Sequence, residues 1–292
     1  MLKSLTLKCC FFISFFVLQS VVFSYITHAE KVTIFIRDDV FYDYEQFVQG
    51  RDILSINNFS GKTIRRDVVD MIIAQQALKI GGFEHTFEYV PGKLNFRNTK
   101  LLEEGKLLIS FDSYWLLDAN KMVNDVHISL PLINNGEYIA GIYTTPNNKA
   151  VLALKSLEDL SQFTAVSTPR WATDWQTLQA LPLKELIHED EWLSQARMVN
   201  LGWIDFMLMA FHSTEDQSFT MEKIHLVPVK NVGIELKDSR HYVISKKHPL
   251  GSEAIKAINI GLKALRKEKR ISRAYQESGF FVDKRKINIL NK

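Results

Sequence analysis

The sequence predicts an α/β protein of two lobes, each a mixed, mostly parallel sheet flanked by helices, joined by a two-strand hinge. Three observations lead to this prediction. Residues 31–90 read as a strand, a helix and a second strand, the repeating unit of a parallel sheet. Extended runs at residues 138–145 and 229–236 would cross between the lobes in opposite directions. The 292 residues, 46% of them apolar, are enough for two hydrophobic cores.

The N-terminus reads as an export signal. Lys3 and Lys8 precede an apolar run that ends near Ile26, and Thr27 and Ala29 suit a peptidase that cleaves after Ala29. Residues 1–29 are therefore predicted to be a signal peptide that directs the protein to the periplasm. An uncleaved membrane anchor is the alternative, because the apolar run is nearly long enough to span a bilayer.

Composition excludes several classes of protein. The chain has 36 basic and 33 acidic residues, two of the basic ones in the predicted leader, so no nucleic-acid partner is expected. Both cysteines, Cys9 and Cys10, precede the apolar run. The exported chain therefore has no disulfide, thiol nucleophile or lipid attachment site. The histidines show no metal-binding spacing, and no cofactor or metal ion is expected.

The first predicted strand, residues 31–36, leads into a polar and aromatic loop at residues 37–44. Ligands of α/β proteins bind outside the carboxyl ends of strands. Asp39, Phe41 and Tyr42 in this loop are therefore candidate ligand-binding residues. The alternative is an acidic turn whose aromatic side chains cover the edge of the core.

A second candidate loop follows on the same edge. The apolar spacing predicts a helix from Ile64 that ends at Gly81 and Gly82, then a strand at residues 83–90. A short helix at residues 99–104 precedes a buried strand at residues 107–111. The candidate ligand-binding residues after this strand are Asp112, Ser113, Tyr114 and Trp115. The alternative is a solvated acidic loop with Trp115 packed beneath it.

The crossing begins with a strand at residues 126–130 that Pro131 is expected to end, because proline has no N–H to donate. Tyr143, in the next extended run, either touches the ligand or only stiffens the hinge. A helical turn capped by Ser156 precedes a strand at residues 163–166.

The loop after that strand is a candidate anion site. Ser167 or Thr168 could cap a helix that begins at Pro169, and its free N–H groups together with Arg170 would attract an anion. Ser167, Thr168 and Arg170 are therefore candidate ligand-binding residues. The alternative is a cap with a structural role alone.

The rest of the chain completes the second lobe and returns to the first. One or two helices are expected at residues 183–199, a strand at 206–210 and a plain surface histidine at His212. The return crossing leads to a strand at 241–245, a long helix capped by Ser252, a second helix and a loose tail over the last ten residues. The predicted lobes are residues 30–139 with 237–292, and residues 140–236.

Four phrases in this order resemble the bacterial extracellular solute-binding proteins of family 3, which serve polar amino-acid ABC transporters. They are GKTIRRDVVDMIIAQQALKIGG, LEEGK at residues 102–106, SLEDL at residues 156–160, and the closing VISKKHPLGSEAIKAINIGLKAL with ISRAYQESGF. The resemblance covers Lys31 to Phe280 and implies a type II periplasmic-binding-protein-like fold and a binding role.

The chain departs from this family at its ligand-binding positions. The family's arginine after the first rim loop is absent from DSYWLLDANK, and Ala210, Phe211 and His212 stand where an acid would take an amine. An aspartate usual after the glycine-lysine phrase is replaced by Leu107 and Leu108. The resemblance therefore implies the fold and the role but not the ligand.

The predicted function is non-catalytic capture of a small polar solute between the lobes of a monomer, read by an ABC transporter permease or a membrane sensor. One alternative is a secreted enzyme similar to periplasmic cyclohexadienyl dehydratases, with Asp112 or Asp39 as the acid. Another is a degenerate lobe pair that acts through protein contacts.

Overall fold

The computed structural model describes residues 31–92, 96–212 and 214–292. The predicted signal peptide and its cleavage site lie outside these residues. The helices are α1 (Asp38–Val48), α2 (Arg66–Ile80), α3 (Phe96–Glu103), α4 (Leu116–Asn120), α5 (Lys149–Leu152), α6 (Ala172–Gln179), α7 (Trp192–Asn200), α8 (Gly251–Lys267) and α9 (Arg270–Glu277). The strands are β1 (Lys31–Arg37), β2 (Thr86–Gly92), β3 (Tyr114–Trp115), β4 (Val126–Ile133), β5 (Ile139–Thr144), β6 (Thr164–Ser167), β7 (Glu185–His188), β8 (Met207–Met209), β9 (Phe219–Met221), β10 (Ile224–Glu235), β11 (Arg240–Ser245) and β12 (Asn288–Ile289).

The elements form a two-lobed, mixed α/β architecture, as predicted. By the predicted boundaries, the first lobe would comprise β1 to β4 with β11, α8 and α9, and the second lobe β5 to β10. The boundaries near residues 139 and 237 stay a prediction. They are consistent with the pairing of β5 and β10, which run antiparallel at the point where the chain passes between the lobes.

The first lobe is built around helix α2. Strands β1 and β2 are parallel neighbours, so the predicted β-α-β unit is confirmed. Every residue of α2 from Val68 to Leu78 is buried, because α8 packs along it. Gly81 and Gly261 permit this approach: an added Cβ on either would lie 2.0 Å from a carbonyl oxygen of the facing helix. Strand β11 forms a separate sheet between β3 and β4, antiparallel to both.

The second lobe contains two sheets. Strand β5 pairs antiparallel with β10 and with β8, while β6 and β7 form a parallel pair. The register of β10 shifts between Pro228 and Gly233. A cluster of buried side chains confined to this lobe includes Tyr143, Val166 and Leu226.

The largest hydrophobic cluster runs through both lobes. It extends from Ile34 and Ile72 through Tyr138 and Val229 at the crossing to Phe206. The lobes therefore share packed side chains beside the hinge and do not have fully separate cores.

Four local predictions were wrong, either because tertiary contacts decided the local structure or because a helical spacing of apolar residues was not recognised. Residues 37–44 are largely helix α1, whose buried Val40, Tyr44 and Phe47 follow a helical spacing. Residues 107–111 are buried but make only a bridge from Ile109 to Ile244. Residues 185–188, expected to be helical, form β7 because they pair with β6. The long helix begins at Gly251 after Leu250, without a cap from Ser252.

Two predicted chain interruptions were also wrong. Strand β4 continues through Pro131, which is tolerated because β4 lies at the edge of its sheet. The expected loose tail contains β12, which runs parallel to β10, and Asn291 exchanges two hydrogen bonds with the backbone of Glu235.

The predicted cap at Ser156 was wrong as well. The short helical turn at residues 158–162 follows Leu157 and has no side-chain cap. The side chain of Asp159 instead accepts the backbone N–H groups of Lys155 and Ser156, both at 2.9 Å.

Candidate functional site

The first candidate loop residues, Asp39, Phe41 and Tyr42, lie on helix α1. Asp39 lies in its first turn, where a carboxylate is favoured by the helix dipole. Tyr42 is exposed to water over 64% of its surface, whereas Phe41 is partly buried with its ring centre 5.4 Å from that of Tyr89. Asp39 and Tyr42 therefore face solvent, and Phe41 covers the core edge.

Two arginines neutralise Asp39. Arg37 approaches its carboxylate at 2.5 Å and Arg65 at 2.6 Å. Burial raises the pKa of Asp39, but the hydrogen bonds and charges of Arg37 and Arg65 outweigh it and lower the pKa to about 2. Arg65 also lies 3.3 Å from Asp43, whose pKa is raised by burial against the attraction of that arginine. The outer part of the site is thus a network of ion pairs in contact with water.

The second candidate loop is tied to α2 by a buried carboxylate. Asp70 accepts hydrogen bonds from the N–H of Ser113 at 3.1 Å and from its hydroxyl at 2.6 Å. Arg66 donates to Asp70 at 2.6 Å and to Asp112 at 2.9 Å, and Tyr275 donates to Asp70 as well. Burial raises the pKa of Asp70, against the attraction of Arg66. Asp112 remains partly exposed at the rim, while Ser113 is a buried structural partner.

The returning strand β11 adds an arginine to the same place. Arg240 donates from Nε to the Ser113 hydroxyl at 2.9 Å and from Nη2 to the Ser113 carbonyl oxygen. Its guanidinium carbon lies 4.6 Å from the ring centre of Trp115, a cation–π arrangement. The hydroxyl of Tyr114 instead shares a hydrogen bond of 3.4 Å with Thr99.

Trp115 reaches across to the second lobe. Its indole Nε1 donates to Asp174 Oδ2 on α6 at 3.1 Å. Burial raises the pKa of Asp174 to about 6, although Arg240 and the Trp115 hydrogen bond oppose the shift. Beside this contact, Asp238 accepts from the Leu117 N–H at 3.2 Å and from the Thr173 hydroxyl at 2.7 Å. The lobes are therefore joined by side chains next to the hinge.

Tyr143 is buried in the second lobe. Its hydroxyl donates to the Gln217 carbonyl oxygen at 2.7 Å, and its ring meets that of His212 edge-on at 6.0 Å. The prediction that His212 is a plain surface residue was wrong. Burial, together with the charge of Arg65 in the first lobe, lowers the pKa of His212 to about 4. His212 is thus neutral at pH 7 and lies near Arg65.

The predicted helix start at Pro169 was wrong, because α6 begins at Ala172 without a side-chain cap. Thr168 donates to Asp190 at 2.7 Å, and Arg170 lies 3.3 Å from the same carboxylate. The carboxylate of Asp190, a residue of the chain itself, therefore occupies the predicted anion-binding site. Ser167 is buried beside it.

The sequence predicted Asp39 and Asp112 on one rim but did not indicate their partners. Arg65 and Arg66 lie at the start of helix α2. Two consecutive arginines before a buried helix could have indicated these partners. Arg240 and Asp174 had no local signal, because their roles depend on contacts with Ser113 and Trp115 far away in sequence.

No group of histidine, cysteine, aspartate and glutamate side chains in the described ranges could hold a metal ion. Among the helices of residues 31–292 that the structure describes, none is long and apolar enough to cross a membrane.

No protein-family model and no curated protein sequence matches the chain. Solved structures do match. The periplasmic VFT2 domain of Bordetella pertussis BvgS aligns with a TM-score of 0.57 at 13% identity over 84% of this chain and 92% of that one. The amino-acid ABC transporter substrate-binding protein AbpA of Streptococcus pneumoniae, bound to L-arginine, gives 0.54 at 14% identity over 85% and 96%.

A third similar structure is the ancestral amino acid-binding protein AncCDT-1, described as a precursor of cyclohexadienyl dehydratase. It aligns with a TM-score of 0.52 at 16% identity over 85% of this chain and 95% of that one. These likenesses establish the two-lobed fold of periplasmic binding proteins and, at such identities, nothing finer.

Proposed function

We propose that this chain is an exported, monomeric, non-catalytic binding protein that captures a small polar solute between its lobes in the periplasm. An ABC transporter or a membrane sensor would read the closed form. The fold supports this role, because the similar structures include an amino-acid-binding protein with bound L-arginine and a periplasmic VFT domain. Membership of solute-binding family 3 belongs to the same proposal.

The observation that carries the proposal is a cluster of charged side chains that remains in contact with water. The side chains of Asp39 and Asp112 are 43% and 27% exposed, and that of Arg65 is 28% exposed. A carboxylate can accept about four hydrogen bonds, so these groups retain capacity for a solute. The charge of Arg65, in the first lobe, contributes to the lowered pKa of His212, in the second lobe. Residues of both lobes therefore lie near this charged cluster.

The ion pairs favour one class of solute. Arg37, Arg65 and Arg66 already contact aspartates, and Arg240 is held by Ser113. An acidic solute would have to displace these carboxylates. A neutral or cationic solute with N–H donors needs only the free acceptor positions of Asp39 and Asp112.

The same contacts argue against the dehydratase reading. A general acid must hold a proton near the working pH, whereas arginines lower the pKa of Asp39 to about 2 after burial has raised it. Asp112 is paired with Arg66 at 2.9 Å. The surroundings of Asp39 therefore do not hold it in its neutral form.

The proposal is tested by a thermal-shift screen of residues 30–292 with amines, amino acids and organic acids, followed by calorimetry on each hit. We expect amine-bearing compounds to raise the unfolding temperature and to bind one per chain. Asp112→Asn should weaken binding about tenfold, since a charge-assisted hydrogen bond is lost. Glu222→Gln, an exposed position in the second lobe, is the matched control and should bind normally.

Two outcomes would overturn the proposal. Consumption of a prephenate-like acid by the purified protein would indicate the enzyme. A lack of response to every class of compound would favour a lobe pair that acts through protein contacts.

A further inference from the structure

The first turns of α4 and α6, which belong to different lobes, are held together by two aspartates. Asp174 on α6 accepts the indole N–H of Trp115, the residue just before α4. Asp238, at the end of the return crossing, accepts from Leu117 in α4 and from Thr173 in α6 through the same oxygen, Oδ2. These hydrogen bonds lie at one place beside the hinge.

The indole of Trp115 has little freedom to find another partner. It is only 5% exposed, Arg240 covers one face at 4.6 Å, and the ring of Tyr138 lies 5.8 Å from it. Strand β3 also pairs Trp115 with Arg240 in the sheet. If the second lobe rotated away, the indole N–H would lose Asp174 as its acceptor while Arg240 and Tyr138 stayed against the ring, and the loss of this hydrogen bond is unfavourable.

With the lobes together, Asp174 accepts the indole N–H of Trp115 and lies near the charge of Arg240, and these two contacts offset part of the cost of its burial. Arg240 lies close enough for its charge to favour the ionised carboxylate, against the burial of Asp174 and the like charge of Asp118. Thr173, its neighbour on α6, is 5% exposed and bonded to Asp238. Each of these partners is a side chain or a backbone group of this chain, so the contacts need no solute.

From this geometry we infer that Trp115, Asp174 and Asp238 form a latch that holds the lobes closed without solute. The inference rests on the proposed function and concerns how closure of the same cleft is controlled. A binding protein that closes only around its solute has an open ground state. Here the closed form is the ground state, and a solute, when it binds, acts on a population that is already mostly closed.

The latch is tested by measuring the distance between the lobes in the absence of any solute. Both cysteines of the sequence, Cys9 and Cys10, lie in the predicted leader, so residues 30–292 can carry spin labels at introduced cysteines alone. Tyr42→Cys on α1 and Trp203→Cys in the second lobe are suitable sites, since these side chains are 64% and 71% exposed. Pulsed electron spin resonance then gives the distribution of distances.

We expect one narrow distribution for the labelled protein without further changes. Asp174→Ala and Trp115→Phe should each add a longer, broader component and lower the closed-to-open ratio about tenfold, as loss of one hydrogen bond implies. Trp175→Phe is the matched control: it removes an indole from the same helix, where the ring packs on His188, and should leave the distribution unchanged. Asp174→Asn keeps an acceptor oxygen, so its closed-to-open ratio should lie between that of the starting protein and that of Asp174→Ala.

A broad distribution in the starting protein, or identical distributions in all folded variants, would overturn the latch. Circular dichroism shows which variants fold, and Asp174→Asn provides the answer if Asp174→Ala does not. Because no solute is present, a failed solute screen leaves this result untouched. Conversely, solute binding together with the same distance distribution in every folded variant would reject the latch and keep the proposed function.

Discussion

The buried carboxylate of Asp70 on α2 binds both the backbone N–H and the hydroxyl of Ser113, at 3.1 and 2.6 Å. The two residues are 43 positions apart in sequence. This contact fixes the loop that presents Asp112 and Trp115, so the shape of the candidate site depends on a helix that lies beneath it.

Removal of this carboxylate should destabilise the fold strongly. Asp70→Ala leaves Arg66 and the hydroxyl of Tyr275 without this partner in the core, and breaking a buried ion pair costs about 3–5 kcal/mol. Urea denaturation should show this loss in the free energy of unfolding. Asp159→Ala, at an exposed position where the carboxylate accepts two backbone N–H groups, should cost much less. Equal losses in the two variants would contradict the role given to Asp70.

Asp174→Asn should change how stability depends on pH. Burial raises the pKa of Asp174 in the folded protein to about 6, from an ordinary value of 3.8, despite Arg240. The favourable contribution of Asp174 is therefore full below pH 3.8 and is lost as pH rises through 6. The Asn variant lacks this loss, so its stability relative to the wild type should rise between about pH 4 and about pH 6.5, by on the order of 2 kcal/mol.

The measurement is the difference between the unfolding free energies of the two proteins at successive pH values across this range. A pH-independent difference would show that Asp174 titrates normally in the folded state.

His212→Gln should produce the opposite trend. Burial, assisted by the charge of Arg65, lowers the pKa of His212 in the folded protein to about 4, from an ordinary value of 6.5. Between pH 6.5 and 4 the unfolded chain binds a proton that the folded protein does not, so the wild type loses stability as pH falls. The Gln variant avoids that loss and should gain relative stability towards pH 4. Nuclear magnetic resonance titration of the His212 ring gives an independent check, since a midpoint near 6.5 would be incompatible with this burial.

The contact between α2 and α8 should tolerate no side chain at Gly261. A Cβ there would lie 2.0 Å from the carbonyl oxygen of Ala77, so the helices must move apart, and overpacking of this kind costs about 1–3 kcal/mol. Thermal unfolding of Gly261→Ala should show a clear decrease in midpoint. Gly92→Ala is the control, because an added Cβ at Gly92 meets nothing within 4 Å. A similar midpoint for both variants would mean that the helices are not in close contact.

The amino-acid sequence by itself determined the alternation of strands and helices, the helix α2, the paired crossings β5 and β10, and the two-lobed class of fold. These features depend on local patterns along the chain, such as the apolar spacing of α2 and the extended run that becomes part of β10. The sequence also predicted Asp39 and Asp112 on one rim, because each was expected to follow a strand of the same lobe, but the structure has a strand only before Asp39.

Only the tertiary structure decided which side chains meet. Arg240 binds Ser113 and Trp115 binds Asp174 across 127 and 59 residues of sequence, and the C-terminal residues add strand β12 beside β10. Such contacts are set by the packing of distant elements against each other. A local pattern contains no information about the partner, and it therefore gave β7 as a helix and the tail as loose. The helix α1 was missed for a different reason, because its local helical spacing was not recognised.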